Sequence, residues 1–387
     1  MTPVVSSNRA LLAVELGAFG FFGFFWGNFA VLLADLSRAL DLSPGPLGFA
    51  LFVGAAASIL AMAVLGRTSD RIGRRTYLVI CACVFGTGIV SLALSGGYAV
   101  FLIVLVILYA AGGLYDVGIN AAAVDLERAM GRRIMSYLHA AFSSGGAIGA
   151  ISAGALLQIG VDYRLVYLGV LVPLVAVVVA FLNIRFPRIE QPADGEKTGT
   201  MALYRNASLM LVAVIATLGL LAEGEMEHWS GVYLRQTLEM PALLGGSGVA
   251  VFYGAMAAGR LGAAGTISRF GDRRTLIGAG MLTAAGMALA LVTSEPLLVV
   301  AGFLLVGLAL SAVVPIAFSL AGDLAPGQAG AAISAVTTLA YGGFLFGPVI
   351  VGGLAEVFGL RLALGTIAVA GVSIFILSLR VKASRTG

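Results

Sequence analysis

Twelve apolar runs, each long enough to cross a lipid bilayer, follow one another through this chain of 387 residues. They lie at 10–36, 46–66, 75–95, 98–122, 134–160, 164–186, 207–236, 242–267, 274–293, 296–322, 329–358 and 360–380; a span needs about 20 such residues. Backbone polar groups inside hydrocarbon have to be satisfied internally, which leaves helices or a closed barrel. The short period-two alternation of barrel strands is absent, so the chain reads as an all-α membrane protein. Composition points the same way. With 60% hydrophobic and 11% charged residues, there is too little polar surface for a soluble protein.

The net charge of +4 is distributed as topology signals, not as a nucleic-acid face. With twelve spans both ends share one side. Eighteen of the 23 Lys and Arg fall on that side, four (Arg38, Arg164, Arg235 and Arg361) fall opposite, and Arg260 lies inside a span. By the positive-inside rule the N- and C-termini are expected to be cytoplasmic, in the inner (plasma) membrane. The N-terminus "MTPVVSSNRALLAVELG" has no small-residue cleavage site after a short apolar core, and reads as a first span. Cys81 and Cys83, at i and i+2 on one helix, point to different sides and carry no disulfide or metal signal.

The longest polar stretch, 187–206, divides the spans six and six. It is the expected linker between an N-terminal six-helix bundle at 1–186 and a C-terminal one at 207–387. Internal similarity supports two pseudo-symmetric bundles: "GRTSDRIGRRTYL" follows span 2 and "GTISRFGDRRTLI" follows span 8. The second lacks an acid at the place of Asp70 and is one residue tighter.

The first of these stretches, with Gly66, Asp70, Arg71, Gly73, Arg74 and Arg75, resembles the loop 2–3 signature of the major facilitator superfamily. Glycines permit a tight turn there, and Asp70 is placed to pair with an arginine or a helix N-terminus. The resemblance implies that this loop is a gate, latching one side of the protein when its cavity faces the other. Within that family, "YDVGINAAAVDLERAMGRRIMSYLHAAFSSGGAIGA" and "EGEMEHWSGVYL" resemble the fucose-permease-like branch. An acid followed four residues later by Asn sits on span 4 there, here Asp116 and Asn120. That branch is expected to carry a second acid in span 1, where "WGNFAVLL" has Asn28.

An intramembrane carboxylate is costly unless it has a partner, a wet cavity or a function. Asp116 and Asn120 share one helix face. Asp116 and His139 both lie about 9–13 Å from the same polar boundary, within reach of each other across spans 4 and 5. Asp116 is therefore the candidate proton carrier with His139 as partner, since burial moves a carboxylate toward the range where histidine titrates. The alternatives are a static Asp–His bond locking two helices and an Asp116 that lines the cavity without carrying protons. Trp26, Asn28, Asn120, Glu223, Trp229 and Tyr341 are the candidate solute-binding residues, the two tryptophans forming either an aromatic clamp or an interfacial belt. Glu225, Glu227 and His228 are expected at a solvated outer rim and Glu15 near an interface. Arg260 either pairs with an acid or binds an anionic solute.

Gly23 and Gly27, Gly145 and Gly149, and Gly343 and Gly347 have the spacing that lets helices approach closely, and Pro315 and Pro348 are placed to bend spans 10 and 11. No nucleotide-binding loop, metal-ligand cluster or nucleophile elbow is present, so neither a cofactor nor enzymatic activity is expected. The expectation is a secondary transporter working by alternating access, proton-coupled and specific for a small polar solute such as a sugar. Its expected partners are that solute, protons and the bilayer, with no nucleic acid, and the chain is expected to be monomeric. Two alternatives stand: a proton-driven exporter of hydrophobic compounds using "FGFFGFFWGNF", and a non-transporting membrane sensor with the same fold.

Overall fold

The computed structural model describes residues 7–66, 68–186, 203–325 and 328–381. All its regular elements are helices. Spans 1 to 7 occupy Asn8–Ala39, Pro44–Leu65, Arg74–Ala93, Tyr98–Met130, Met135–Gln158, Tyr163–Asn183 and Ala207–Thr237. Ala242–Val292 follows as one run of 51 residues, then Pro296–Leu324, Ala329–Phe358 and Leu360–Ser378. A straight helix of that length would measure about 77 Å, more than twice the hydrocarbon thickness. It bends at Gly271 and so supplies spans 8 and 9, giving twelve.

Local chemistry explains the ends. Asn206 Oδ1 accepts from Ser208 N at 3.0 Å and Leu209 N at 3.2 Å, capping span 7. Pro44 and Pro296 sit in the first turns of spans 2 and 10, where a missing N–H costs nothing. Gly131, left-handed at φ 63°, ends span 4. Span 4 runs two turns past the apolar stretch and so carries Asp125 and Glu127 on its helix.

Two compact units emerge, Met1–Glu190 with Pro241–Ala250, and Gln191–Met240 with Val251–Gly387. The 187–206 linker lies almost wholly outside the described residues. The first turns of span 8 group with the first unit: Gly246 and Gly154 of span 5 meet backbone to backbone, and Leu243 N donates to Gln158 Oε1 at 3.3 Å.

Within each unit the helix contacts repeat with an offset of six. Span 1 packs most extensively on span 5, and span 7 on span 11. A Cβ on Gly23 or Gly27 would overlap span 5 backbone at Phe142 or Gly146, and one on Gly343 would overlap the Thr217 carbonyl. Gly113 of span 4 faces Ser58 of span 2, and Gly259 of span 8 faces Ser311 of span 10. Gly88 against Leu108 joins spans 3 and 4; Gly286 against Gly302 joins spans 9 and 10. The internal similarity also reaches the backbone: Gly73 (φ 85°, ψ 147°) and Gly271 (φ 75°, ψ 163°) adopt one glycine-only conformation at matching places.

Candidate functional site

Arg74, the first residue of span 3, is the hub of the loop between spans 2 and 3. A short helix, Thr68–Ile72, and the turn at Gly73 deliver it to the end of span 4. Its Nη1 donates to Asp70 Oδ1 at 2.7 Å and to Ser69 Oγ at 2.6 Å, while Nε donates to Asp125 Oδ2 at 3.0 Å. Asp125 and Arg74 are largely enclosed, with 7% and 12% of their side chains exposed; Asp70 is 42% exposed. Of the pairings open to Asp70, the one with an arginine is formed. Arg71 and Arg75 are exposed, and Gly66 ends span 2 with its N–H on the Met62 carbonyl. Nearby, Glu127 Oε1 accepts from Ile134 N at 2.6 Å and Met135 N at 2.9 Å, tying the end of span 4 to the start of span 5.

Asp116 is half-buried, and its Oδ1 accepts from Asn120 Nδ2 at 2.9 Å. Among the described residues it enters no ion pair. The His139 ring sits edge-on to Phe19 of span 1, 5.5 Å between centroids, because span 5 lays its small-residue face on span 1 and touches span 4 little. The Asp–His bond considered as a static lock is thus replaced by a bond within span 4. Glu15, placed near an interface by the sequence, is fully enclosed. Both its carboxylate oxygens lack a hydrogen-bond partner among the described residues, with Asp125 and Tyr115 within electrostatic reach.

In the second unit, span 7 departs from expectation. Glu225, Glu227 and His228 were expected at a solvated rim, and all three are buried. Neighbouring helices supply partners: Thr366 of span 12 donates to Glu225 Oε2 at 2.8 Å, Tyr253 of span 8 faces Glu227, and the His228 ring packs on Phe344 of span 11. His228 Nδ1 lies 2.6 Å from the Gly224 carbonyl. Arg260 pairs with Glu223, Nη2 to Oε1 at 2.9 Å, so the acid partner is the reading formed.

The remaining candidates divide between the units. Trp26 sits among Tyr109, Phe25, Phe29 and Phe22, with centroids 5.0 to 5.9 Å apart. Asn28 turns back on its own helix, donating to the Phe24 carbonyl at 2.8 Å. Trp229 is fully buried, its indole N–H without an acceptor among the described residues, and Tyr341 is half-buried on span 11. Sequence reasoning missed Asp125, which serves Arg74, and misplaced Glu227 at the rim. Asp125 lies nine residues, about two and a half turns, beyond Asp116 and so on the opposite helix face, beside an arginine-rich loop; that offset was the available signal.

Comparison with known proteins fits this architecture. The family profile described as Major Facilitator Superfamily matches residues 16–269 and 246–386. An uncharacterised transporter of that type from Yersinia pestis is 30% identical over 351 residues, covering 91% of this chain and 90% of its own. Membrane protein MosC of Rhizobium meliloti is 29% identical over 379 residues, 97% of this chain and 92% of its own. Among solved structures, the nucleoside transporter NupG superposes with a TM-score of 0.80 at 17% identity, over 96% of this chain and 99% of that one. A bacterial homologue of the lysosomal transporter Spinster gives 0.74 at 15% identity, over 98% and 100%. Profile, relatives and fold agree, and the chain belongs to the major facilitator superfamily of multi-pass membrane transporters.

Proposed function

We propose that this transporter moves a small polar solute by alternating access of two six-helix bundles, 1–186 and 207–387, and that a proton on Asp116 drives it. The observation that carries the reading is the half-buried carboxylate of Asp116 in the middle of span 4, held by Asn120 and by no ion pair among the described residues. An acid kept from a permanent cation is free to change its protonation state, as a proton relay requires. His139, one helix away, is the candidate partner in proton transfer. Trp26, Asn28 and Asn120 in the first unit, and Glu223, Trp229 and Tyr341 in the second, are the residues offered to the solute.

The loop of Gly66, Asp70, Arg71, Gly73, Arg74 and Arg75 acts in this reading as a latch on the cytoplasmic side, with both termini cytoplasmic by the distribution of basic residues. NupG, a nucleoside transporter by name, is a fold neighbour and makes nucleosides a polar class worth assaying beside sugars. The resemblance to the fucose-permease-like branch on spans 4, 5 and 7 favours a sugar. The test is uptake into proteoliposomes. Asp116→Asn should abolish accumulation driven by a proton gradient while leaving solute binding or counterflow largely intact. Continued uphill uptake by the variant would remove Asp116 from the proton path.

A further inference from the structure

Glu223 and Glu227 stand one turn apart on span 7 and present one face to span 8. On span 8, Tyr253 and Arg260 are seven residues apart, two turns along a single face. Glu223 is bonded to Arg260 at 2.9 Å. The groups within electrostatic reach of Glu227 are Glu223, Arg260 and Tyr253. From the other helices packed on span 7, span 12 offers Thr366 to Glu225, span 11 offers Phe344 to His228, and span 10 sets Val313 against Gly219. Among the described residues none of the three brings an ionisable group to Glu227.

The charge count is uneven. A guanidinium is always charged and can neutralise one carboxylate. Here two carboxylates, each 9% exposed, share one arginine. Two like charges one turn apart in an enclosed place cannot both ionise cheaply, and such a pair titrates as a unit. With Arg260 on Glu223, neutrality of the patch requires a proton on Glu227.

We propose that Glu223, Glu227 and Arg260 form a proton-binding site in the second unit, separate from Asp116, in which Glu227 carries the exchangeable proton. Loading adds one proton to a Glu227 carboxylate oxygen, and release returns it to water, leaving Arg260 to serve both acids. Tyr253 gives Glu227 a hydrogen-bonding neighbour in either form. The proposal rests on the transport reading only for what the proton is used for, so its test reads protonation and not flux.

The experiment is infrared difference spectroscopy of the full chain in lipid, between acid and alkaline buffers, with and without sodium. The wild type at neutral pH should show a carboxylic-acid carbonyl band that Glu227→Gln removes. Glu223→Gln leaves Arg260 to pair with Glu227, and should remove the same band at neutral pH although Glu227 is still present. Asp116→Asn should leave the band in place, so failure of the Asp116 assignment would appear in transport with this band intact. The proposal is overturned if the band survives Glu227→Gln, if it survives Glu223→Gln, or if sodium alone abolishes it in the wild type, which would make the patch a metal-cation site. Should Glu227→Gln fail to fold, the Glu223→Gln comparison still decides.

Discussion

Arg74 reaches two carboxylates at once, Asp70 at 2.7 Å through Nη1 and Asp125 at 3.0 Å through Nε. The two bonds are not equivalent. Asp125 is enclosed and Asp70 is 42% exposed, so water screens one and not the other. Removing a buried partner strands the arginine, which costs about 3 kcal/mol, whereas an exposed pair is worth below about 1 kcal/mol. Asp125→Asn should therefore lower the thermal unfolding temperature clearly more than Asp70→Asn. The reverse order would make Asp70 the anchor of the loop.

Close helix crossings predict a second contrast. Gly27→Ala would press a methyl group into the Gly146 backbone, and Gly343→Ala into the Thr217 carbonyl. Each should destabilise by about 1–3 kcal/mol. Gly17 has nothing within 4 Å of an added Cβ, so Gly17→Ala should be neutral or gain about 0.5–1 kcal/mol. Unfolding midpoints of the three variants in one detergent decide it.

Backbone conformation predicts a third. Gly73 and Gly271 have φ of 85° and 75° with ψ near the extended range, and alanine at either should cost about 1–3 kcal/mol although no atom obstructs its side chain. Gly131, at φ 63° and ψ 23°, lies where asparagine is tolerated. Gly131→Asn should leave the unfolding temperature almost unchanged; equal losses at all three positions would contradict the conformational account.

Glu127 gives a fourth. Its Oε1 caps the first amides of span 5, so Glu127→Ala should cost about 1 kcal/mol and speed hydrogen exchange at Ile134 and Met135. Glu127→Gln keeps a carbonyl acceptor and should fall between alanine and wild type.

The number of spans is readable from chain order, because hydrocarbon forces every backbone bond inside a helix and makes apolar length a direct readout. Chain order also marked the duplicated turn around Gly73 and Gly271, and glycines at Gly23, Gly27, Gly343 and Gly347 whose spacing only close crossings require. Those signals are local or periodic. The boundary between spans 8 and 9 was legible from the basic residues, and the helix breaks there at Gly271.

Tertiary structure alone decided which charges meet. Glu225, Glu227 and His228 read as rim residues because depth along a helix says nothing about what faces it; spans 8, 11 and 12 close over them. His139 went to Phe19 because the small face of span 5 fits span 1, and Asp125 became the partner of Arg74 because span 4 continues two turns past its apolar run. A buried charge is tolerated only with a partner or a proton, and partners come from helices far away in sequence. Chain order narrows the candidates, as the offset of Asp125 does; packing selects the pair.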